Sequence, residues 1–287
     1  MPELPEIETI KLGLRKYLIG HTITDVKVNI PKMFIGRKED ILGAKIIDLK
    51  RIGKGLIIEL NNGFVLAVHL KMTGQLVFRD KNTEKLLLSK KVGGDTLPSK
   101  YSHLIFTLDN ATLYYNDLRQ FGWIKVLKKD DLMQMPFFKE MGPEPKVADD
   151  LAGKELTFDY FKGVLLKSNL PVKVLLMDQK KIGGIGNIYA NDALFKAGID
   201  PRKSAKQITE EEAKKLYEAI FAVLEKSLKY GGSSDENFVN ALGQEGAYQN
   251  HTLVYGKRGE KCSICGSTIE KIQLGGRGTY FCPKHQK

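Results

Sequence analysis

The segment Gly55-Leu-Ile-Ile-Glu-Leu-Asn-Asn-Gly-Phe-Val-Leu-Ala-Val-His-Leu70 contains two apolar runs rich in β-branched residues, separated by a short polar stretch. The runs Gly55 to Leu60 and Phe64 to Leu70 have the composition of β-strands. Residues 61–63 between them read Asn-Asn-Gly, which is typical of a tight turn. The segment therefore predicts a β-hairpin.

Further strands are predicted on both sides of this hairpin. They cover Thr22 to Asn29, Gln75 to Asp80, His103 to Leu108 and Thr112 to Asn116. Ahead of them, apolar residues between Glu6 and Leu18 recur at helical spacing, and the preceding prolines suit a helix start. Closely spaced strands without intervening helices favour an antiparallel sandwich or barrel, so the predicted fold class is α+β.

The second half of the chain has a different pattern. Residues 128–150 are charged, contain prolines and show weak periodicity, which is typical of a linker. Thr209 and Glu212 have the spacing of a capping box, and Gly231 is placed to end the helix that they begin. A loop rich in glycine, serine and asparagine continues to about His251.

The charge of the chain points to a polyanionic partner. Lysine and arginine total 45 against 34 acidic residues, a formal net charge of +11. Such a charge favours nucleic acid, although it can also serve solubility alone. No apolar run has the length of a transmembrane helix, and the acidic N-terminus does not resemble a signal peptide. We therefore expect a soluble cytoplasmic protein with no membrane partner.

All three cysteines lie near the C-terminal end of the chain, in two short segments. The first segment is Cys262-Ser-Ile-Cys265, and the second, Cys282-Pro-Lys-His285, pairs a cysteine with a histidine. This spacing predicts one tetrahedral Zn²⁺ held on a β-hairpin by Cys262, Cys265, Cys282 and His285. Four protein ligands leave no open position for water, so the metal is expected to be structural. Arg277, in the glycine-rich tip of that hairpin, is a candidate for binding phosphate, but the tip alone is equally consistent with a solvated turn.

The N-terminus reads Met1-Pro2-Glu3-Leu4-Pro5-Glu6. Methionine in front of proline is normally removed, which would expose Pro2 as a secondary amine. Taken alone, the same residues are also consistent with a simple helix start, because acids are favourable near the positive end of a helix dipole.

These motifs together resemble the formamidopyrimidine-DNA glycosylases. The resemblance extends over nearly the whole chain and in the expected order. Besides the N-terminus and the finger, it rests on Gly53-Lys54, His69-Leu-Lys-Met72-Thr-Gly74, Asp117-Leu-Arg119-Gln-Phe121-Gly122, Gly183-Gly-Ile-Gly186-Asn187-Ile-Tyr189-Ala190 and Tyr255-Gly-Lys257.

The resemblance implies a fold and a domain order. It predicts an N-terminal helix plus β-sandwich, a helical domain with a helix-two-turns-helix motif, and a C-terminal β-hairpin zinc finger. The corresponding bounds are 1–130 for the catalytic domain, 131–150 for the linker, 151–231 for the helical domain, 232–251 for a lesion-covering loop and 252–287 for the finger.

The resemblance also implies a reaction and its residues. A monomeric base-excision repair enzyme would remove oxidised purines from double-stranded DNA and cleave the abasic strand through a Schiff base on Pro2. The implied catalytic residues are Pro2, Glu3, Lys54 and Arg277, while Glu6 is as readily a helix cap. The implied DNA-binding residues are His69, Met72, Tyr101, Arg119, Phe121, Lys167, Asn187 and Lys257, with Met72, Arg119 and Phe121 filling the space left by the extruded base.

The sequence departs from the family pattern at several positions. His285 stands where a fourth cysteine is usual, Gln120 replaces an arginine, Lys71 a glycine and Tyr101 a histidine. The loop reads Gly246-Ala247-Tyr248 instead of Gly-Tyr-Phe, so substrate choice is left open between oxidised purines and oxidised pyrimidines. A third alternative is a catalytically silent protein that binds damaged DNA, although a binder has no need of Pro2, Glu3 and Lys54.

Overall fold

The computed structural model describes residues 1–148 and 151–287, in two compact units. The first unit comprises Met1–Glu140 and Leu228–Gln249, and the second comprises Met141–Ser227 and Asn250–Lys287. Residues 149 and 150, which end the predicted linker, lie outside the described part of the chain. The predicted domain bounds stay a prediction.

The first unit contains two α-helices and nine strands. They are α1 (Leu4–Leu18), β1 (Ile23–Val28), β2 (Phe34–Ile35), β3 (Ile46–Ile52), β4 (Gly55–Leu60), β5 (Phe64–His69), β6 (Gly74–Asp80), β7 (Ser102–Leu108), β8 (Ala111–Asp117), β9 (Trp123–Lys128) and α2 (Pro136–Lys139). The predicted helix and strands are confirmed, including the hairpin of β4 and β5, in which Gly55 pairs with His69.

The strands form two sheets that share one core. The four-stranded sheet has the order β1-β7-β8-β6, and the five-stranded sheet has the order β2-β9-β5-β4-β3. All pairs are antiparallel except the short pair of β2 with β9, which is parallel. Apolar side chains of both sheets and of α1 make one buried cluster, for example Phe78, Val68 and Ile10. This burial is what fixes α1, and with it the N-terminus, on the sandwich.

The second unit is helical and ends in a hairpin. Its elements are α3 (Phe158–Leu166), α4 (Val172–Leu176), α5 (Asn187–Ala197), α6 (Glu210–Lys229), β10 (Glu270–Leu274) and β11 (Arg277–Phe281), with the last residues of α6 belonging to the first unit. The predicted capping box of α6 is present, since Thr209 N donates to Glu212 Oε2 at 2.9 Å and Glu212 N to Thr209 Oγ1 at 3.3 Å. No helix within 1–148 or 151–287 is both long and apolar enough to cross a membrane.

Candidate active site and nucleic-acid interface

The N-terminus is held by the first turn of α1. Pro2 is buried, and Glu3 and Glu6 form a reciprocal capping box in which Glu6 Oε2 accepts from Glu3 N at 2.8 Å. The other oxygen of Glu6 accepts from Ser233 N at 2.8 Å. Glu6 is therefore a structural carboxylate that joins the start of α1 to the loop 232–251.

Residues 232–249 of the loop 232–251 are part of the first unit and pack within it. Phe238, Val239 and Tyr248 are buried, and Gln75 Nε2 donates to the carbonyl of Asn237 at 2.7 Å. The amino group of Met1 lies 2.8 Å from Glu236 Oε2, so the loop and the N-terminus are neighbours. Because Met1 is still joined to Pro2 in this structure, the Pro2 nitrogen is an amide here.

Lys54 lies in the turn between β3 and β4, and its side chain is buried. Gly53 adopts the left-handed backbone (φ 57°) that this turn requires, and its carbonyl accepts from Arg51 Nη1 at 3.0 Å. Glu8 of α1 binds Arg51 at 2.8 Å and Lys11 at 2.7 Å, all three groups being almost fully buried. A buried ion network thus fixes the position of the Lys54 turn relative to α1.

His69 ends β5 and is a buried neutral imidazole. Its burial, together with the positive charges of Lys71 and Lys54, lowers the pKa of His69 from 6.5 to about 3. Nδ1 accepts from Lys71 N at 3.1 Å, so the proton is on Nε2. The ring is enclosed by Trp123 and Phe137. His69 can therefore donate a hydrogen bond at neutral pH but carries no charge.

Met72, Arg119 and Phe121 lie on the two loops that leave β5 and β8. Met72 is half-buried, whereas the Phe121 side chain is 54 % exposed. The Arg119 guanidinium lies 4.8 Å from the centre of the Phe121 ring, which makes a cation–π pair. Tyr101 is half-buried directly before β7, and the Lys100 ammonium nitrogen lies over its ring, 5.1 Å from the ring centre. An exposed aromatic ring beside a guanidinium is suited to contact with unstacked bases.

The second unit brings Asn187 and the hairpin tip together through a lysine that sequence reasoning missed. Lys173 of α4 is fully buried, and its ammonium donates to Asn187 Oδ1 at 2.7 Å and to Thr279 Oγ1 at 2.8 Å. Asn187 begins α5 and also donates to the carbonyl of Gly278 at 3.1 Å. Arg277, next to Gly278, is exposed. The Lys173 ammonium therefore ties the helix start to the base of the Arg277 tip.

The remaining two predicted DNA-binding lysines are also in the second unit. Lys167 is exposed at the C-terminal end of α3. Lys257 is half-buried and donates to the carbonyl of Thr252 at 2.6 Å. The turn that carries Lys257 is held by Asp192, whose carboxylate accepts from the backbone N–H groups of Leu253 and Val254 at 3.0 Å each.

The three cysteines come together at the base of the hairpin. Their sulfur atoms all lie within 4.8 Å of one another, with Cys262 and Cys282 buried and Cys265 exposed. Hydrogen bonding by Ser267 lowers the pKa of Cys265 from 9.0 to about 7, whereas burial raises the pKa of Cys262. Clustered thiols of this kind fit Zn²⁺, which binds thiolates.

His285 is not part of the cysteine group. Its Nε2 lies 2.8 Å from the carbonyl oxygen of Phe195, and its ring packs edge-on against the Phe195 ring. The structure thus assembles three of the four predicted ligands, and the role of His285 as the fourth stays a prediction.

Comparison with known proteins gives matches along the whole chain. Residues 1–124 match the formamidopyrimidine-DNA glycosylase N-terminal domain, 141–238 the H2TH domain of the same enzymes, and 259–284 a zinc finger found in FPG and IleRS. The formamidopyrimidine-DNA glycosylase of Streptococcus mutans is 36% identical over 293 residues, covering 100% of both chains. The chain belongs to the formamidopyrimidine-DNA glycosylase family.

Other relatives and solved structures agree. The enzyme of Carboxydothermus hydrogenoformans is 38% identical over 292 residues, with both chains fully covered. The Lactococcus lactis Fpg in complex with DNA containing an abasic site superposes with a TM-score of 0.86 at 34% identity, covering 99% of each chain. A MutM structure with DNA containing carbocyclic 8-oxo-G gives the same TM-score and identity over 100% of both chains.

Family membership identifies the chain as a DNA glycosylase of damaged DNA, an enzyme class with characteristic lyase activity. It also confirms the α+β fold with a helix-two-turns-helix domain and a finger hairpin. The finger match and the cysteine cluster together confirm a structural zinc site.

Proposed function

We propose that the enzyme excises oxidised purines, such as 8-oxoguanine and formamidopyrimidines, and cleaves the abasic strand by β,δ-elimination through a Schiff base on Pro2. It acts on double-stranded DNA as a cytoplasmic monomer. The observation that carries the proposal is the buried N-terminus, where Pro2 lies beside the Glu3–Glu6 capping box under the loop 232–251.

The nucleophile requires removal of Met1. An α-amine has a pKa of about 7.7 to 8, so about a tenth of it is neutral at pH 7 without any special environment. The Pro2 nitrogen attacks C1′ of the damaged nucleotide while the bond from C1′ to the base breaks, and the base leaves with that electron pair and takes up a proton. Opening of the sugar ring then gives a cationic iminium of Pro2 with C1′.

The iminium makes strand cleavage possible. It acidifies the C2′ proton, whose loss to a base expels the 3′-phosphate, and a second elimination expels the 5′-phosphate. Water then hydrolyses the conjugated iminium and releases the Pro2 amine. We assign Glu3 to proton transfer at the opening sugar, because its carboxyl group is adjacent to Pro2 in the chain and is buried.

The other residues bind DNA in this proposal. Lys54 and Arg277 neutralise phosphates around the damaged nucleotide. The set of DNA-binding residues comprises His69, Met72, Tyr101, Arg119, Phe121, Lys167, Asn187 and Lys257. Among them, Met72, Arg119 and Phe121 replace the extruded base in the stack, for which the exposed Phe121 ring and its Arg119 partner are suited.

The second candidate function keeps the mechanism and changes the base. The loop sequence Gly246-Ala247-Tyr248 departs from the purine-specific pattern, and a complex of the L. lactis Fpg with DNA containing an oxidised pyrimidine has a TM-score of 0.85 to this chain. An oxidised pyrimidine is therefore the alternative substrate.

One experiment separates these functions from mere binding. The purified protein is incubated with duplexes that each carry one defined lesion, and borohydride is added to reduce any iminium to a stable covalent adduct. We expect trapping to be fastest with 8-oxoguanine or a formamidopyrimidine. No adduct should form with a Pro2→Gly variant that retains Met1. Fastest trapping with an oxidised pyrimidine would establish the alternative, and DNA binding without any adduct would leave a silent damage-binding protein.

A further inference from the structure

Asp117 links the two loops that carry the proposed void-filling residues. It is the last residue of β8, and its side chain is completely buried. The loop after β5 contains Met72, and the loop after β8 contains Arg119 and Phe121. The family resemblance draws attention to Met72, Arg119 and Phe121, but the sequence gives no reason to assign a function to the carboxylate.

The Asp117 carboxylate uses both oxygens to bind these loops. Oδ1 accepts from the Thr73 hydroxyl and, at 3.1 Å, from Arg119 N, while Oδ2 accepts from Gly122 N at 2.8 Å. The Thr73 oxygen in turn accepts from Arg119 N at 2.9 Å. The Asp117 carboxylate thus links Arg119 and Gly122, which lie on either side of Phe121, to Thr73, which follows Met72.

Both loops contain a residue in a conformation that needs such support. Lys71 (φ 54°) and Gln120 (φ 55°) are the only residues other than glycine with positive φ within 1–148 and 151–287. Each is adjacent to a proposed void-filling residue, Lys71 to Met72 and Gln120 to both Arg119 and Phe121. L-residues rarely adopt this backbone unless the surroundings impose it.

We propose that Asp117 is a positioning residue, which fixes Met72, Arg119 and Phe121 as one preformed unit that enters the base stack as the damaged nucleotide leaves it. The inference rests on the proposed function, since it assumes that these side chains fill the vacated space. Preformed loops need no ordering when DNA binds, so the cost of base extrusion is lower. Asp117 does not contact the reacting atoms and acts only through the loops.

The test compares Asp117→Asn with variants of its partner Thr73. An asparagine can keep one acceptor oxygen, but its amide then presents N–H groups to the N–H of Gly122 or to the Thr73 and Arg119 donors. Thr73→Val removes the bridging hydroxyl at nearly constant shape and is the second test, and Thr73→Ser restores the hydroxyl. Asp25→Asn, at an exposed aspartate of β1, is the matched control for loss of one negative charge.

Two substrates separate positioning from a general structural effect. One is a lesion-containing duplex, in which single-turnover release of the base requires extrusion of the damaged nucleotide. In this duplex, the fluorescence of 2-aminopurine opposite the lesion reports insertion of the void-filling side chains into the stack. The other is a single strand with a preformed abasic site, in which borohydride trapping requires no filling of a stack. We expect Asp117→Asn to slow duplex base release about tenfold more than single-strand trapping, since an unsatisfied buried donor typically has effects of this size. Thr73→Val should follow Asp117→Asn, and Thr73→Ser should behave as the unmodified enzyme.

A double-mutant cycle with Phe121→Ala decides the route of the effect. If Asp117 acts through the loops, Asp117→Asn adds at most about threefold to the slowing caused by Phe121→Ala, because coupled residues are not additive. Equal losses on both substrates, or effects of Asp117→Asn and Phe121→Ala that multiply, would overturn the inference. If the unmodified enzyme forms no adduct with any substrate, the proposed function fails instead, so the two failures are distinguishable.

Discussion

Replacing Lys173 by methionine is expected to loosen the contact between α5 and the hairpin tip. The Lys173 side chain is fully buried, and its ammonium donates to Asn187 Oδ1, Thr279 Oγ1 and, at 3.3 Å, the carbonyl of Gly278. Methionine has a similar stem, so Lys173→Met leaves little cavity but removes every one of these donors. The buried Thr279 Oγ1 and the half-buried Asn187 Oδ1 would then have fewer partners.

The magnitude follows from those contacts. Leaving a buried acceptor unsatisfied costs about 1–3 kcal/mol. Thr279 Oγ1 is such an acceptor, whereas Asn187 is half-buried, so the loss of the bond to its Oδ1 costs less. Two effects reduce this loss of stability. Asn191 Nδ2 lies 3.4 Å from Asn187 Oδ1 and can still donate to it, and the apolar methionine avoids the cost of burying a charge. We therefore expect the free energy of unfolding to fall by about 1–3 kcal/mol.

The assay combines denaturation with DNA titration. Urea unfolding should give the stability loss, and hydrogen exchange should localise it to the amides of β11 and the first turn of α5. Affinity for lesion DNA should fall, but the slope of log K against log salt should stay the same, because a buried ammonium releases no counterions. Arg277→Ala, at an exposed residue, should instead reduce that slope by about one.

The outcome that refutes this reasoning is specific. Lys196→Met changes an exposed lysine of α5 and serves as the control for charge and for helix composition. If Lys173→Met changed the free energy of unfolding no more than Lys196→Met, or reduced the salt slope as Arg277→Ala does, the ammonium would not be the structural tie described above.

Other consequences can be measured on the same protein. Acetylating the Pro2 amine, or leaving Met1 in front of it, should abolish both base release and strand scission, while binding to an abasic-site analogue persists. Strand scission by the blocked protein would refute the role of Pro2 as the nucleophile. For His69, the folded pKa of about 3 lies below the unfolded 6.5, so its contribution to stability is present above pH 6.5 and is lost as the pH falls toward 3. His69→Phe should therefore flatten the pH dependence of the unfolding free energy in that window by up to about 1.4 kcal/mol per pH unit, and an unchanged slope would contradict a buried neutral imidazole. Treatment with a chelator should release about one Zn²⁺ per chain and lower the affinity for DNA, because the hairpin next to Cys262 and Cys282 would lose its structure. Adding Zn²⁺ back should restore the affinity. Full DNA affinity without metal would contradict a structural role of the zinc.

The elements that sequence predicts well are those fixed by local pattern. The β4–β5 hairpin follows from two apolar runs around Asn-Asn-Gly, and the structure pairs Gly55 with His69 as such a hairpin requires. The α6 start follows from Thr209 and Glu212, and the metal site from cysteine spacing. In each case the residues that interact are close in the sequence or share a spacing rule.

The residues that sequence reasoning missed depend on partners far along the chain. Lys173 is one of 45 basic residues, and nothing near it in the sequence marks Thr279, more than a hundred positions later, as its acceptor. The short β2 strand gives no periodic signal, and its parallel pairing with β9 is set by the sandwich. For His285, the spacing predicts a metal ligand, whereas the folded structure offers the Phe195 carbonyl as a competing partner.

Buried polar groups in both units position the segments that carry predicted site residues. Glu6, Glu8, Asp117 and Lys173 are each almost fully buried, and the partners that the structure shows for them include backbone or side-chain groups of a neighbouring loop, strand or helix start. A buried charge is costly unless its hydrogen bonds are satisfied, so each such group holds its partners in a narrow range of positions. Apolar packing alone would tolerate small shifts of these loops. Under the proposed function, in which the enzyme extrudes a nucleotide and presents an amine to C1′, this restriction is favourable, because misplacement by about 1 Å is enough to slow such reactions. The buried charges therefore position these loops and helix starts in addition to any contribution to stability.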